Sequence, residues 1–435
     1  MSTDKPIDCS GASCPGVERT LGVYPQKQDG LFMQRIRILG GRIRWRQWRK
    51  VAELAKYYSP IHITTRQDIE LHNIPGPDIY AIQKGLEEAG LSTQGAGGDT
   101  VRNITACSGC PFSSDAGGVL AAAEFLHKTL MAKVFDLPRK FKISFSGCLS
   151  ACAKPWINDL GFVLQRDGHF TVIGAGSLGP KPGLGIELYR NLAAQDVAPL
   201  CLAALEFFEK TGDRQNRHHA RLRHVRERLG DEQFKTEFSA VFERVKKSQA
   251  WPDIALTALN RNIRLLWRLQ LPNGNISSDE VIQLADAAEP QNAELRINLE
   301  HGLELYGSQT FQLPDNLAAL ENLPVIIACP GSSSCARAIT DTWSVADAIR
   351  QRIAHIHRPN LRICISGCPN SCAHSAVADI GLIGLRRNRD GQPAECFRLL
   401  TGGHNGIDNH QTVADDVFFT EDVPAAIERL LPSLK

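Results

Sequence analysis

The chain has 435 residues, enough for two to three domains of roughly 150 residues each. Its 43% apolar content excludes global disorder, and a formal net charge of +2 gives no general electrostatic case for binding nucleic acid. No apolar run approaches the ~18 residues needed to span a bilayer, so no membrane insertion is expected. The opening MSTDKPIDCSGASCPG lacks the basic start and apolar stretch of a secretion signal, so the expected location is cytoplasmic. Disulfides rarely persist there, and the 13 cysteines therefore point to metal binding or redox chemistry.

In chain order, alternation predicts a strand over 32–38, and Gly40-Gly41 marks a turn. Helical spacing follows over 45–57, then a strand pair over 61–72 and a helix opened by Gly76 and Pro77 that runs to about residue 89. The run FTVIGAGSLGPKPG carries G-x-G-x-x-G at Gly174, Gly176 and Gly179 after a strand-like stretch. Pro180 and Pro182 interrupt the helix that a dinucleotide site would need there, so a loop contacting cofactor carboxylates is expected instead, with the Thr401–Gly406 TGGHNG run as its partner. Residues 199–249 read as a linker of charged, solvated helices that includes His218, His219 and His224. A second series then begins, with a strand over 263–269, a turn at Asn273-Gly274 and a helix over 278–287.

The two series are an internal repeat. FKISFSGCLSACAKPWINDLGF from Phe141 aligns without gaps to LRICISGCPNSCAHSAVADIGL from Leu361, and IHITTRQDIELH from Ile61 aligns to LRINLEHGLELY from Leu295. The expected fold class is therefore α+β (mixed α/β), internally duplicated about a pseudo-twofold axis, with the functional site between the halves.

Cys329 and Cys335 (C-x5-C) with Cys368 and Cys372 (C-x3-C) supply the thiolate count of a [4Fe–4S] cluster, in loops rich in Gly, Pro and Ser. A structural zinc is the alternative for this set, although its spacing suits zinc less well. Cys107, Cys110, Cys148 and Cys152 form a similar set in the first half and invite a second cluster, with zinc or unliganded thiols as alternatives. Cys110 breaks the parallel, since C-x5-C would need a cysteine at Ser113. No role is assigned to Cys9, Cys14, Cys201, Cys364 or Cys396.

Arg66, Arg102, Lys140 and Lys142 form a candidate anion site. Their second-half counterparts are Glu300, Pro324, Asn360 and Arg362, so the scaffold does not itself demand these cations. Converging Arg and Lys groups bind oxyanions and stabilise shifting charge, and Lys can also deliver protons.

TTRQ, GDTVRN, PRKFK and C-x5-C…C-x3-C, in that order, resemble the sirohaem-dependent sulfite and nitrite reductases over nearly the whole chain. The resemblance implies a [4Fe–4S] cluster joined to a sirohaem through Cys372, with Arg139 and Asn370 contacting the macrocycle and Arg66, Arg102, Lys140 and Lys142 around the substrate. It implies ferredoxin-like half-domains at 1–75 and 256–322, sirohaem/Fe–S-type domains at 76–198 and 323–435, and a helical linker at 199–255. The implied reaction is six-electron reduction of sulfite to sulfide, the favoured substrate, or of nitrite to ammonia. With no flavin or nucleotide motif, electrons would come from a ferredoxin or a separate reductase subunit. A precorrin-3B synthase-like enzyme and a non-catalytic iron–sulfur electron carrier are the competing readings.

Overall fold

The computed structural model describes residues 18–58, 60–109, 116–147, 149–252, 254, 263–356, 358, 361–404 and 413–433. Cys9, Cys14, Cys110 and Cys148 lie outside these residues, as do the end of the TGGHNG run and Asn360.

Two antiparallel sheets form the centre. One has the order Val23–Pro25, Leu31–Ile36, Ile69–Pro75, Ile61–Ile63, Asn275–Ile276, and the other Arg264–Gln270, Gly302–Gly307, Glu294–Ile297, Arg42–Ile43. Each thus ends on a two-residue strand taken from the opposite half. Ile43 pairs with Leu295, and Ile276 pairs with Ile61. The turns that launch these strands are equivalent, with positive φ at Gly40 and Gly41 in one and at Asn273 and Gly274 in the other. A Cβ at Gly41 would meet the Ile297 carbonyl, so this turn passes against the other half's backbone. The helices Trp45–Ala55 and Ser278–Ala288 cover the sheets. Ser277 caps the second through Glu280 N–H, and Glu280 returns a bond to the Ser277 N–H. One apolar core runs through both halves, with Trp48, Val51, Leu284 and Leu295 all buried in it.

A five-stranded mixed sheet stands on either side. The first has the order Ile186–Leu192, Phe170–Gly174, Leu160–Leu164, Ile143–Ser146, Thr105–Ala106, and the second runs Val325–Ala328, Arg362–Ser366, Ile380–Arg389, Gln392–Thr401, Val413–Phe419. In both, the strand leading to the C-x3-C pair is flanked by parallel neighbours. The mixed, duplicated architecture read from the repeat is therefore present.

The 199–255 segment differs from expectation. It is helical, over Val197–Thr211, Leu222–Leu229 and Asp231–Lys246, but it is not a solvated linker. Phe207, Phe208, Phe234, Phe238 and Phe242 are buried with Phe141, Phe145 and Phe162 in one core. Most of the charged residues that dominate its composition occupy the outer faces, while Arg221 and Arg223 are buried. The G-x-G-x-x-G run behaves as anticipated, since no helix follows it and the next element is the strand Ile186–Leu192. Gly174 and Gly176 serve close packing, because a Cβ there would strike the Leu188 side chain and the Trp156 carbonyl, whereas the space at Gly179 is open.

Beneath the site, His62 packs edge-on against His72 and His301, with centroids 5.7 and 5.2 Å apart. Burial holds His62 near pKa 4, against an ordinary 6.5, and lowers His301 strongly. The unfolded chain therefore binds more protons than the folded one between those values, and stability is lost as pH falls from about 6.5 toward 4. Each fully coupled histidine contributes on the order of 1.4 kcal/mol per pH unit in that window. Thermal melts between pH 8 and 4 should show this decline, and His62→Asn should flatten it.

Candidate functional site

The site lies where the first half's cations meet the second half's cysteine loops. Val325–Ala328 delivers Cys329, and Arg362–Ser366 delivers Cys368 and Cys372. Gly331 has φ +55, and a Cβ there would meet the Thr342 side chain and the Thr340 carbonyl, so the C-x5-C loop closes only over glycine. Backbone N–H groups turn onto the sulfurs. Gly367 donates to Cys329 Sγ at 3.2 Å, Ala338 and Arg337 donate to Cys335, and Asn370 reaches Cys368 through both backbone and side chain.

Burial pushes the Cys329 thiol up to about 12 and raises Cys335 and Cys368, and each of these thiols also feels the charge of Cys372. Three thiols that resist ionisation alone, gathered beside Cys372 and supplied with N–H donors, suit the cationic core of an iron–sulfur cluster. Among the described residues, no three His, Cys, Asp or Glu side chains converge on a point that would hold a single metal ion. A cubane differs in that each thiolate binds its own iron.

The loop after Ile61–Ile63 faces this set. Thr65 donates through Oγ1 to the Cys372 carbonyl at 3.1 Å, tying the two halves together at the C-x3-C loop. Gln67, at φ 61, is fully buried and donates to the carbonyls of Ala106 (2.8 Å) and Ile297 (2.9 Å), while its Oε1 accepts from Ala106 N–H. That clamp sets the position of Arg66. Its guanidinium donates to Asn158 Oδ1 at 3.0 Å and to the Asn103 carbonyl at 2.6 Å, and its buried Nε has no partner. Burial lowers Arg66 to about 10, so it remains cationic at neutral pH.

Lys140 and Lys142 flank Phe141 just ahead of the strand Ile143–Ser146, at the alternating spacing that puts extended side chains on one face. Burial, then Arg221 and Arg102, brings Lys140 down to about 7, whereas the charge of Cys372 works the other way. Burial, Arg66 and Lys140 hold Lys142 well below the ordinary lysine range, again against Cys372. Both lysines thus sit within electrostatic reach of the cysteine set. Arg102 lies at the edge, its guanidinium donating to the Gly98 carbonyl at 2.9 Å. Arg139 is paired with Asp99 at 2.9 Å, and Asp99 also holds Arg217 at 2.6 Å. Asn370 is exposed beside Cys368.

A small cavity of about 10 Å³ remains, lined by Thr65, Arg66, Lys142, Lys154, Asn158 and His374 among others. It is large enough for one water molecule. Lys154 and His374 are counterparts in the repeat, both with positive φ, and their Nζ and Nδ1 lie 3.2 Å apart at the junction. Like charges gathered in a low-dielectric cleft repel one another by about 4 kcal/mol per pair at 4 Å and an effective dielectric of 20. Such a cleft favours anions, both the carboxylates of a tetrapyrrole and an oxyanion substrate.

Three contributors escaped the sequence reading. Arg221 and Asp159 form a buried pair at 2.7 Å beside the lysines, and Asn158 orients Arg66. Asp159 recurs as Asp379 in the repeat, which is the signal that could have exposed it. In the first cysteine set, Cys107 is buried and accepts from Gly147 N–H at 3.4 Å, as Cys329 does from Gly367. Cys152 occupies the place of Cys372, and Cys110 and Cys148 lie outside the described residues.

Comparison with known proteins agrees with this geometry. The family described as "Nitrite and sulphite reductase 4Fe-4S domain" matches residues 97–246 and 321–432, and the "Nitrite/Sulfite reductase ferredoxin-like half domain" matches 24–89. The chloroplastic ferredoxin–nitrite reductase of Arabidopsis thaliana is 28% identical, covering 94% of this chain and 78% of the relative. The ferredoxin–nitrite reductase of Leptolyngbya laminosa is 30% identical, covering 89% and 83%. The structure of the Mycobacterium tuberculosis NirA protein superposes with a TM-score of 0.80 at 22% identity, covering 95% of this chain and 86% of that one, and shares its fold. No described helix is long and apolar enough to cross a membrane. The chain therefore belongs to the nitrite and sulphite reductase family, as an oxidoreductase whose cofactors are a [4Fe–4S] cluster and a sirohaem.

Proposed function

We propose that the chain reduces nitrite to ammonium with electrons from a ferredoxin, using Arg66, Arg102, Lys140 and Lys142 as its substrate-facing groups. The observation that carries this reading is the placement of Lys140 and Lys142 within the electrostatic reach of Cys372, with Arg66 beside them. Nitrite and ferredoxin are chosen over sulfite and a separate reductase subunit because the similar enzymes of Arabidopsis thaliana and Leptolyngbya laminosa are named ferredoxin–nitrite reductases. The preference for sulfite rested on sequence alone.

In this reading Cys329, Cys335, Cys368 and Cys372 would hold the cluster, with Cys372 as the ligand it would share with the sirohaem, and Asn370 and Arg139 would help to hold the macrocycle. When bound, these groups supply one-electron transfers and an iron that receives the anion. The protein's part is charge and protons. Nitrite takes up six electrons and eight protons to give ammonium and two waters, so negative charge must be balanced repeatedly at one place. Arg66, fixed by Asn158 and the Asn103 carbonyl, holds one edge of the anion in constant geometry. Lys140, lowered to about 7, can give up and regain a proton near neutral pH. Lys142, held well below the ordinary lysine range by burial and by Arg66, lines the small cavity, where a water can exchange protons with it.

Arg66→Ala and Lys142→Ala should each lower kcat/KM for nitrite by about a hundred-fold while leaving the visible spectrum of the prosthetic groups in place. An electron carrier without catalysis would lose nothing in either variant. Steady-state rates with nitrite and sulfite under one reduced donor should favour nitrite, and a higher kcat/KM for sulfite would reverse the substrate assignment. A purified protein with cluster absorption but no sirohaem would count against the whole reading.

A further inference from the structure

The segment that leads into the C-x3-C strand occurs twice, and the two copies pair their charge differently. In the second half Arg362 stands where Lys142 stands in the first. Its backbone N–H donates to Asp379 Oδ2 at 2.8 Å, and its guanidinium turns back onto the same carboxylate, Nε to Oδ2 at 3.1 Å and Nη2 to Oδ1 at 3.2 Å. The first half keeps the backbone part of this arrangement, Lys142 N–H to Asp159 Oδ2 at 2.8 Å. The side-chain part is absent. Asp159, 0% exposed, is engaged by Arg221 instead, with Nη2 2.7 Å from Oδ2 and Nε 3.3 Å from Oδ1. Among the described residues the Lys142 amine makes no hydrogen bond or ion pair, and no carboxylate is among the leading influences on its charge.

Arg221 enters from just before the helix Leu222–Leu229, in a segment (212–246) that has no counterpart among the described residues of the second half. Its backbone N–H donates to His224 Nδ1 at 3.2 Å, which fixes the approach of the side chain. A buried carboxylate must be paired, and it can be paired either by the cation at the start of the neighbouring strand or by one brought from elsewhere. A planar guanidinium that meets both oxygens outcompetes a single ammonium for that place.

We propose that Arg221 is a positioning residue: it occupies Asp159 so that Lys142 is not drawn into the pairing seen at Arg362–Asp379, and the lysine remains free to face the anion. The inference rests on the assignment of Lys142 to the substrate, and it identifies the helical segment as the part that converts a self-neutralised strand into a binding strand. Asp159 cannot simply be dispensed with, because it also accepts the Lys142 backbone N–H.

Three variants of the holoenzyme test it: Arg221→Gln, Arg221→Lys and the double variant Arg221→Gln/Asp159→Asn. Two readouts are needed, kcat/KM for nitrite and the pH dependence of Lys142 acetylation by acetic anhydride, followed by mass spectrometry. Arg221→Gln should lower kcat/KM by about ten- to a hundred-fold, and it should move Lys142 labelling to higher pH as the amine gains a carboxylate partner. Arg221→Lys, whose ammonium cannot meet both oxygens of Asp159 as the guanidinium does, should fall between wild type and Arg221→Gln. The double variant should regain most of the lost activity and the original labelling pH, since a neutral amide in place of the carboxylate can accept from the Lys142 N–H but cannot hold an ammonium. A double variant no better than the single one, or unchanged labelling in Arg221→Gln, would overturn the proposal. If Arg221→Gln fails to fold, the double variant still decides, because it leaves no unpaired buried charge. Should wild type reduce neither nitrite nor sulfite while labelling still follows Arg221, the positioning role stands and the functional reading falls.

Discussion

Ile43 pairs with Leu295 and Ile276 with Ile61, so neither half of the central body completes its own sheet. Each exchanged strand is only two residues long and contributes few ladder bonds. Its weight lies in what it makes inseparable: one core containing Trp48 and Leu284 together. With the halves locked in this way, the loop after Ile61–Ile63 has a fixed relation to the C-x3-C loop of the other half. Thr65 can then bond the Cys372 carbonyl, and Gln67 can bridge Ala106 and Ile297 across the seam. A site assembled from two halves needs that rigidity, because an ångström of slip between cation and cofactor costs catalysis dearly.

The seam also explains the electrostatics. Arg66, Lys140 and Lys142 are held in a buried cleft against their own repulsion, and burial is the largest influence on each of them. The folding energy of the surrounding cores maintains this arrangement before any anion arrives. A preorganised cationic cleft then gains from each negative charge that enters it, with little rearrangement at the moment of reaction. The cysteine side is complementary, since its thiols gain from positive charge and already have N–H donors aimed at them.

Much of this was legible in the residues because the chemistry is carried by short, dense segments that occur twice. The Ser-Gly-Cys runs, the C-x3-C spacing and the loss of cations at Glu300 and Pro324 could be compared within one chain. The exchanged strands could not be read in that way, because two residues carry no alternation to detect. The helical segment was misjudged for a different reason. Its composition is charged, but Phe234, Phe238 and Phe242 repeat at the spacing of one helix face and are buried together. Periodicity there carried more information than composition did. Arg221 had no internal copy to set beside it, and its partner lies 62 positions away in the chain, so only the fold brings the two together.

The two halves finally differ both in which charges they contain and in how those charges are paired. In the second half Arg362 lies against Asp379, Arg268 against Glu304, and Glu300 stands in the place of Arg66. Lys154, which projects toward that side, feels Glu300 and Arg362 in opposite senses. Cations matched by carboxylates have no surplus field to offer an anion. In the first half Lys142 stands just ahead of the equivalent strand with its carboxylate already occupied by Arg221, and Arg66 has only neutral oxygens as hydrogen-bond partners. Duplication supplied two versions of one segment, and among the described residues the pairing of charge leaves the unmatched positive field on the side of Arg66 and Lys140.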